Sequence, residues 1–415
     1  MTTPPGSGPV PAPDSEPMPR EIWFLVVASF IVAMGYGLVA PVLPTYARSF
    51  GVGVTAATVV VSAFAFMRLV FAPVGGSLVG RLGPRVVYVT GLVVVALSTG
   101  ASAFAGDYWQ LLTFRGLGGI GSTMFTISAA SLVIALAPVA KRGRASALFG
   151  SGFLLGNVLG PVLGAALSGL GLRAPFIIYG VGLLVAAALV AVFVRPSRAA
   201  REAAKARVDA PPTQPPMRVA EAMRDPAYRA SLVSGFTHGW ANMGVRMAII
   251  PLFVVTVAGA GDWSPGVALA SYAIGTLVTL RWSGRAIDRV GRRPLLMGGL
   301  AFSALTALLL GLSFHVVMVL VLCVLGGVAA AAIQPAQQAV LADVVGRERS
   351  GGPVVARSQM AMDTGTILGP IVSGVLVDSV GYAWAFGVAG VILLVGLLPW
   401  RTAPETLERT RPDHP

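Results

Sequence analysis

Residues 316 to 333 read VVMVLVLCVLGGVAAAAI, eighteen apolar or small residues without a single charge. Few folds can use such a run. Crossing a hydrocarbon layer about 30 Å thick takes roughly 20 residues of this kind in a helix. Inside lipid every backbone N–H and C=O must be satisfied within the segment, which a helix does by itself. The pattern recurs along the chain, and hydropathy predicts twelve spans, at 22–44, 56–79, 86–105, 109–133, 145–168, 174–194, 230–257, 266–283, 295–314, 316–341, 354–377 and 383–400. Only 11% of residues are charged, where a soluble chain carries about 25%. The expected fold class is all-α and integral to a membrane, with twelve transmembrane helices in two six-helix bundles.

The formal charge of +13 suggests a nucleic-acid partner at first, but its distribution excludes one. With the N-terminus inside, 23 of the 30 Lys and Arg fall in inside loops and tails, and only Arg48 and Arg173 lie outside. That bias orients a membrane protein and needs no basic ligand. Both termini are therefore expected in the cytoplasm. Cys323 is the single cysteine, and His238, His315 and His414 are scattered, so no disulfide, metal or cofactor is expected. Residues 1–20 hold seven prolines and no apolar run, which reads as a disordered tail with no signal peptide.

The hydrophobic pattern pauses once, between Arg195 and Arg229. The expected organisation is a tail (1–20), a first bundle (21–195), a cytoplasmic linker (196–228) holding a short surface helix in VAEAMRD, a second bundle (229–401) and a tail (402–415). The halves repeat each other. GSLVGRLGPR (Gly76, Gly80, Arg81, Gly83, Arg85) returns 208 positions later as GRAIDRVGRR (Gly284, Asp288, Arg289, Gly291, Arg292, Arg293). Gly37 and Pro44 return as Gly244 and Pro251 at an offset of 207, and Gly160 returns as Gly369 at 209. An internal duplication of this kind suits two bundles that rock about a site at the membrane midplane.

In this order and on these spans, the motifs resemble the major facilitator superfamily, over residues Glu21 to Trp400. Its loop motif Gly-x-x-x-Asp-Arg-x-Gly-Arg-Arg is matched in the second half and imperfectly in the first, where Gly80 replaces the acid. RGLGGIG (Arg115 to Gly121), GLVAPVLPTY (with Pro41 and Pro44) and GNVLGPVLGA (with Gly156, Gly160, Pro161 and Gly164) are similar to segments of its twelve-helix drug–proton antiporters. The resemblance implies a secondary transporter working by alternating access. It also implies that the loop acid docks near the start of a helix in the opposite half. Asp288 is then expected near Arg142 and Arg144, and Gly80 near Arg349 and Arg357. Drift at a tolerant loop explains Gly80 equally well.

Physical reading of single residues gives the candidate pathway. Gly152, Gly156, Gly160 and Gly164 recur every fourth residue, baring one helix face for a close neighbour; Pro161, like Pro370 after Gly369, removes a backbone donor and invites a kink. GLGGIG fits a dinucleotide fingerprint, but it lies inside an apolar span with no acid until Glu202, so it is set aside. An arginine at mid-membrane costs about 2.5–3.5 kcal/mol on insertion scales. Arg68, Arg115 and Arg246 are therefore expected to face a polar cavity, whereas Arg281 and Arg357 can snorkel. Asp363 is the one acid deep in a span. It is either a proton carrier or half of a fixed ion pair. His238 is a second titratable candidate or a packing residue. Tyr36, Asn157, Asn242, Gln334, Gln337 and Gln338 are expected to supply polar contacts.

The expected partners are a small-molecule substrate, protons and the lipid bilayer, with the protein acting as a monomer in a bacterial inner membrane. Export of an amphipathic drug or metabolite is the leading expectation. An importer of a sugar, peptide fragment or organic anion is the alternative, and a polytopic enzyme or a receptor stands behind both.

Overall fold

The structure is a computed structural model that describes residues 18–138, 141–194, 217–256, 261, 263–346, 349 and 351–407. Among these residues the chain is helical and contains no strand. The long helices of the first half are α1 (Arg20–Val39), α2 (Val54–Leu82), α3 (Pro84–Ser102), α4 (Tyr108–Leu136), α5 (Arg142–Ala166) and α6 (Ala174–Phe193). Those of the second half are α7 (Pro226–Thr256), α8 (Ser264–Val290), α9 (Arg292–Gly311), α10 (Val316–Val345), α11 (Gly352–Val380) and α12 (Tyr382–Val395). Eleven described helices are long and apolar enough to cross a membrane; the apolar part of α8, Ser264–Leu280, is shorter. The protein is thus a multi-pass membrane protein. Residues 1–17 and 408–415 of the expected tails, and residues 196–216 of the expected linker, lie outside the described residues. The linker's short helix is present at Val219–Ala222, and α7 begins at Pro226, three residues before the expected boundary.

Proline decides where two spans depart from simple helices. The expected span 22–44 is broken at Ala40–Val42, ahead of a short helix at Leu43–Arg48. Pro41 cannot donate the backbone hydrogen bond that would continue α1, and Pro44 sits in the first turn of the short helix, where its missing donor costs nothing. In α7 a π-helical turn, Gly239–Val245, precedes Pro251. The expected kink prolines Pro161 and Pro370 sit inside the continuous helices α5 and α11. Glycine makes the tight reversals. Gly83 (φ 82°) joins α2 to α3 and Gly291 (φ 108°) joins α8 to α9, which is why both copies of the loop motif keep this glycine.

The two halves share a packing pattern. In the first half α1 lies on α5, α2 on α4, and α3 on α4 and α6; in the second α7 lies on α11, α8 on α10, and α9 on α10 and α12. The expected glycine stripe is a packing face. A side chain at Gly152 would stand 2.8 Å from Val26 O on α1, and one at Gly156 or Gly160 would overlap the carbonyls of Phe30 and Met34. In the other half Gly365 and Gly369 meet Phe236 and Trp240 of α7 in the same way. Outward faces carry exposed Val181, Leu184, Val185, Val321, Trp384 and Val391, an apolar surface suited to lipid.

The halves meet along two seams, α2 with α11 and α5 with α8. The basal face carries Arg20 and Arg401, and the distal face is opposite. Distally the seams are shut. Asp378, near the end of α11, accepts hydrogen bonds from Val54 N (3.0 Å), Thr55 N (2.8 Å) and Thr55 Oγ1 (2.6 Å) at the start of α2. The N-cap of α2 is Gly53, which has no side chain to cap these donors, so the acid of the other half supplies the cap. Ser62 Oγ donates to Ile367 O at 2.8 Å, and a side chain at Gly266 of α8 would stand 2.6 Å from Ala165 Cα of α5. Basally the seams part, and side chains built at Gly76, Gly80, Gly284 or Gly352 meet nothing within 4 Å.

Two outcomes follow from this packing. Gly156→Val forces α1 and α5 apart and costs about 1–3 kcal/mol, read as a lower unfolding midpoint in detergent, while Gly80→Ala leaves the midpoint unchanged. Asp378→Ala removes the distal cap, at a cost of about 0.5–2 kcal/mol. In a Cys323→Ser background it speeds labelling of Val61→Cys from the distal side by about twofold to thirtyfold; an unchanged rate removes Asp378 from the closure.

Candidate functional site

A cavity of about 430 Å³ occupies the space between the halves, below the distal closure. Helices of the first half build most of its wall, and α11 supplies Gln359, Met362, Asp363 and Thr366. Val32, Val61, Phe64, Phe125, Phe149 and Phe153 make much of the surface apolar. Polarity is concentrated in Tyr36, Arg68, Ser122, Thr126, Asn157 and Tyr179, facing Gln359 and Asp363. Of the residues expected on the pathway, the structure therefore brings Tyr36, Arg68, Asn157 and Asp363 together. Asn157 also donates to Phe153 O on its own helix, at 3.2 Å.

The charges in this cavity are not neutralised by one another. Asp363 Oδ1 accepts from Gln359 Nε2 at 2.9 Å, one turn away on α11. Among the described residues no arginine comes within the 4.0 Å of an ion pair with Asp363, so the expectation of a fixed pair is not met. Nor does any hydrogen bond engage the Arg68 guanidinium; only its backbone carbonyl is used, by Thr123 Oγ1 at 3.0 Å. A carboxylate and a guanidinium thus share one largely apolar cavity without touching.

Other expected pathway residues lie elsewhere. Arg115 is 4% exposed and sits in a side pocket of about 20 Å³ behind Tyr36, Phe64 and Tyr179, which also line the main cavity. Its guanidinium stacks over Phe64, 4.8 Å from the ring centroid, and its Nε has no hydrogen-bond partner among the described residues. His238, Asn242 and Arg246 do not reach the main cavity. They line a separate cavity of about 60 Å³ inside the second half, with Tyr272 and Cys323. There Tyr272 donates to Asn242 Oδ1 at 2.9 Å, Asn242 Nδ2 lies 3.2 Å from His238 Nε2, and Arg246 covers the Tyr272 ring at 4.0 Å. Asn242 lies within the π turn of α7, and His238 and Arg246 flank it. Gln334 and Gln338 line a small basal pocket with Gln337, which donates to Ser231 O at 3.0 Å and holds α10 to α7. Arg357 is exposed at the start of α11.

The loop motifs occupy the basal face. Asp288 is exposed and lies 3.8 Å from Arg292, in its own half, so in this conformation it is not at the start of α5 as expected. Gly80 likewise has no neighbour from α11. Arg292 turns instead to buried Asp343 of α10, with Nε 3.0 Å from Oδ2, and Arg85 donates to Ala191 O of α6. Arg81 and Arg289 are exposed, and Arg293 Nη2 donates to Arg401 O at 3.0 Å. Glu405 caps α9, accepting from the backbone N–H of Arg292 and of Arg293 at 3.0 Å each. A side chain at Gly291 would stand 2.6 Å from Glu405 Oε2, a second reason for glycine there. Sequence reasoning missed Asp378, Asp343 and Glu405. The capless start GVGVT of α2 was the available signal for Asp378.

Comparison with known proteins places this arrangement. The Major Facilitator Superfamily model matches residues 25–278 and 236–415. The chromaffin granule amine transporter of Homo sapiens is 25% identical over 348 residues, covering 82% of this chain and 64% of that protein. Quinolone resistance protein NorA of Staphylococcus aureus is 29% identical over 167 residues, covering 39% of this chain and 42% of that protein. The matched stretches therefore span less than two thirds of either relative. Among solved structures, an inward-facing, unoccupied bacterial homologue of the human lysosomal transporter Spinster superposes with a TM-score of 0.74 at 16% identity, covering 92% of this chain and 96% of that one. A D-xylose–proton symporter superposes with a TM-score of 0.73 at 17% identity, covering 93% and 98%. At these identities the likeness is one of fold.

The basal clasp is pH-sensitive in a defined direction. Burial pushes the Glu405 carboxyl up, but the backbone N–H groups of Leu407, Arg292, Arg293 and Thr406 outweigh it and hold it below the usual glutamate range. A group held low contributes its stability above its unfolded pKa and loses it as pH falls through the folded value. A fluorophore at Leu407→Cys, in a Cys323→Ser background, should therefore stay immobile from neutral pH to below about 4.3 and then loosen. Glu405→Gln should loosen it at every pH.

Proposed function

This chain belongs to the major facilitator superfamily, and from that premise we propose that it is a secondary active transporter exporting a small amphipathic compound in exchange for protons. One observation carries the reading: Asp363, without an ion-pair partner among the described residues, faces an apolar cavity of about 430 Å³ between two halves that are joined distally and parted basally. A carboxylate there can hold a proton or the polar end of a substrate, but not both. That exclusivity is what exchange requires. Binding substrate displaces the proton on one side, and protonation displaces substrate on the other.

The basal face is read as cytoplasmic, from the concentration of Lys and Arg in its loops. The protein is then a monomer in a bacterial inner membrane, with two bundles (21–195 and 229–401), α8 completing twelve crossings and both termini inside. The distal closure opens when Asp378 releases the start of α2. Asp288 is proposed to cap α5 once the basal side closes, where the N-terminal end of the helix dipole favours an anion. Export is favoured over import by the glycine–proline face of α5, which resembles that of antiporters, and by the quinolone resistance in the name of one relative. Family membership sets the enzyme and receptor alternatives aside.

In everted vesicles with an imposed pH gradient, the wild-type chain should accumulate a dansylated amphiphile. Asp363→Asn should abolish the gradient-driven part while His238→Gln leaves it. Full accumulation by Asp363→Asn contradicts the assignment.

A further inference from the structure

We infer that the substrate of this cavity is a zwitterion, with its anionic end at Arg68 and its cationic end at Asp363. The inference rests on the transport reading and adds the class of compound. It begins from the register of the α2–α11 seam. These antiparallel helices are joined from Asp378 with Thr55 to Ser62 with Ile367, and there the cross-half hydrogen bonds end. Arg68 lies six residues further along α2 and Asp363 four residues back along α11. At 1.5 Å per residue these are descents of about 9 and 6 Å. The two charges therefore stand at similar depth, on adjacent helices, just where the seam forks.

Long side chains of opposite charge at such a fork would be expected to pair. They do not, and each is left with capacity for a ligand. Gln359 occupies Oδ1 of Asp363 and leaves Oδ2 without a partner among the described residues. The Arg68 guanidinium has all its donors free of described hydrogen-bonding partners, and it can take a carboxylate in the bidentate manner. Between and around them lie the apolar walls of Phe64, Phe125, Phe149 and Phe153. Arg115 does not compete as the anionic subsite, because Tyr36, Phe64 and Tyr179 separate it from the main cavity.

Two separated charges also select by repulsion. A purely cationic amphiphile gains at Asp363 but brings a like charge towards Arg68. A purely anionic one gains at Arg68 and is repelled by Asp363. Only a compound carrying both charges on an apolar body is attracted at both ends, and it neutralises the cavity on binding. Asp363 can still exchange the cationic end for a proton, so this selectivity is compatible with antiport.

A matched series tests the inference on purified full-length protein, by equilibrium titration of dansyl fluorescence. Nα-dansyl-lysine is a zwitterion whose charges are separated by its side chain; its methyl ester is a cation, its Nε-acetyl derivative an anion, and the Nε-acetyl methyl ester is neutral. The zwitterion should bind at least about tenfold more tightly than each of the others. Arg68→Gln should weaken the zwitterion and the anion by about that factor and leave the cation unchanged or improved. Asp363→Asn should weaken the zwitterion and the cation and spare the anion. Equal binding across the series, or an Arg68→Gln variant that keeps full affinity for the zwitterion, overturns the inference. If the cation binds best while Asp363 still governs pH-driven accumulation, the transport reading stands and the zwitterion inference fails. If the binding order holds without any pH-driven accumulation, the zwitterion site stands and proton coupling fails.

Discussion

Helix backbones in this protein are brought together by glycine, and the rest of the architecture depends on that contact. In lipid an apolar side chain gains little by leaving its surroundings, so helices associate through close van der Waals packing of small residues. The α1–α5 and α7–α11 pairs are built this way, with Gly152, Gly156 and Gly160 against α1 and Gly365 and Gly369 against α7. Gly275 and Gly327 do the same between α8 and α10. Each half is thereby a stiff unit. Motion is left to the two seams between halves, where α2 and α11 are bridged by a few polar contacts and α8 approaches α5 at Gly266 and Ala165.

Those seams are not equivalent. Asp378 closes the distal end of the α2–α11 seam, and its counterpart in the duplication, near Gly169, is no acid. Asp288 stands at the basal end of the α5–α8 seam, and its counterpart Gly80 is no acid either. Of these two carboxylates, Asp378 caps the start of α2 across the halves, while Asp288 lies 3.8 Å from Arg292 in its own half. A single capping carboxylate contributes on the order of a hydrogen-bonded cap, small enough for a modest difference in binding free energy to overturn.

Much of this was legible in the sequence because lipid imposes simple rules. The spans, the orientation bias, the duplication and the glycine face all follow from local patterns, and depth and residue type single out Tyr36, Arg68, Asn157 and Asp363, four residues that line one cavity. The failures have a common cause. Depth along a helix can be read from a sequence, but azimuth around it depends on neighbours. Arg246, His238 and Asn242 lie deep enough, yet they line a separate cavity inside the second half. Gln334 and Gln338 lie too far towards the basal side. Asp378 and Glu405 escaped notice because each caps a helix far away in sequence, α2 and α9, and only the fold brings donor and acceptor together.

The central claim is that one cavity is reached from alternate faces as the seams open and close in turn. Distances between paired spin labels measure this directly, with one pair across the basal ends of α2 and α11 (Gly80→Cys with Gly352→Cys) and one across their distal ends (Val52→Cys with Val380→Cys), in a Cys323→Ser background. On lowering pH in lipid nanodiscs, the basal pair should shorten as the distal pair lengthens, in the same fraction of molecules. Both pairs moving in the same sense, or neither moving between pH 8 and pH 5, would contradict the account.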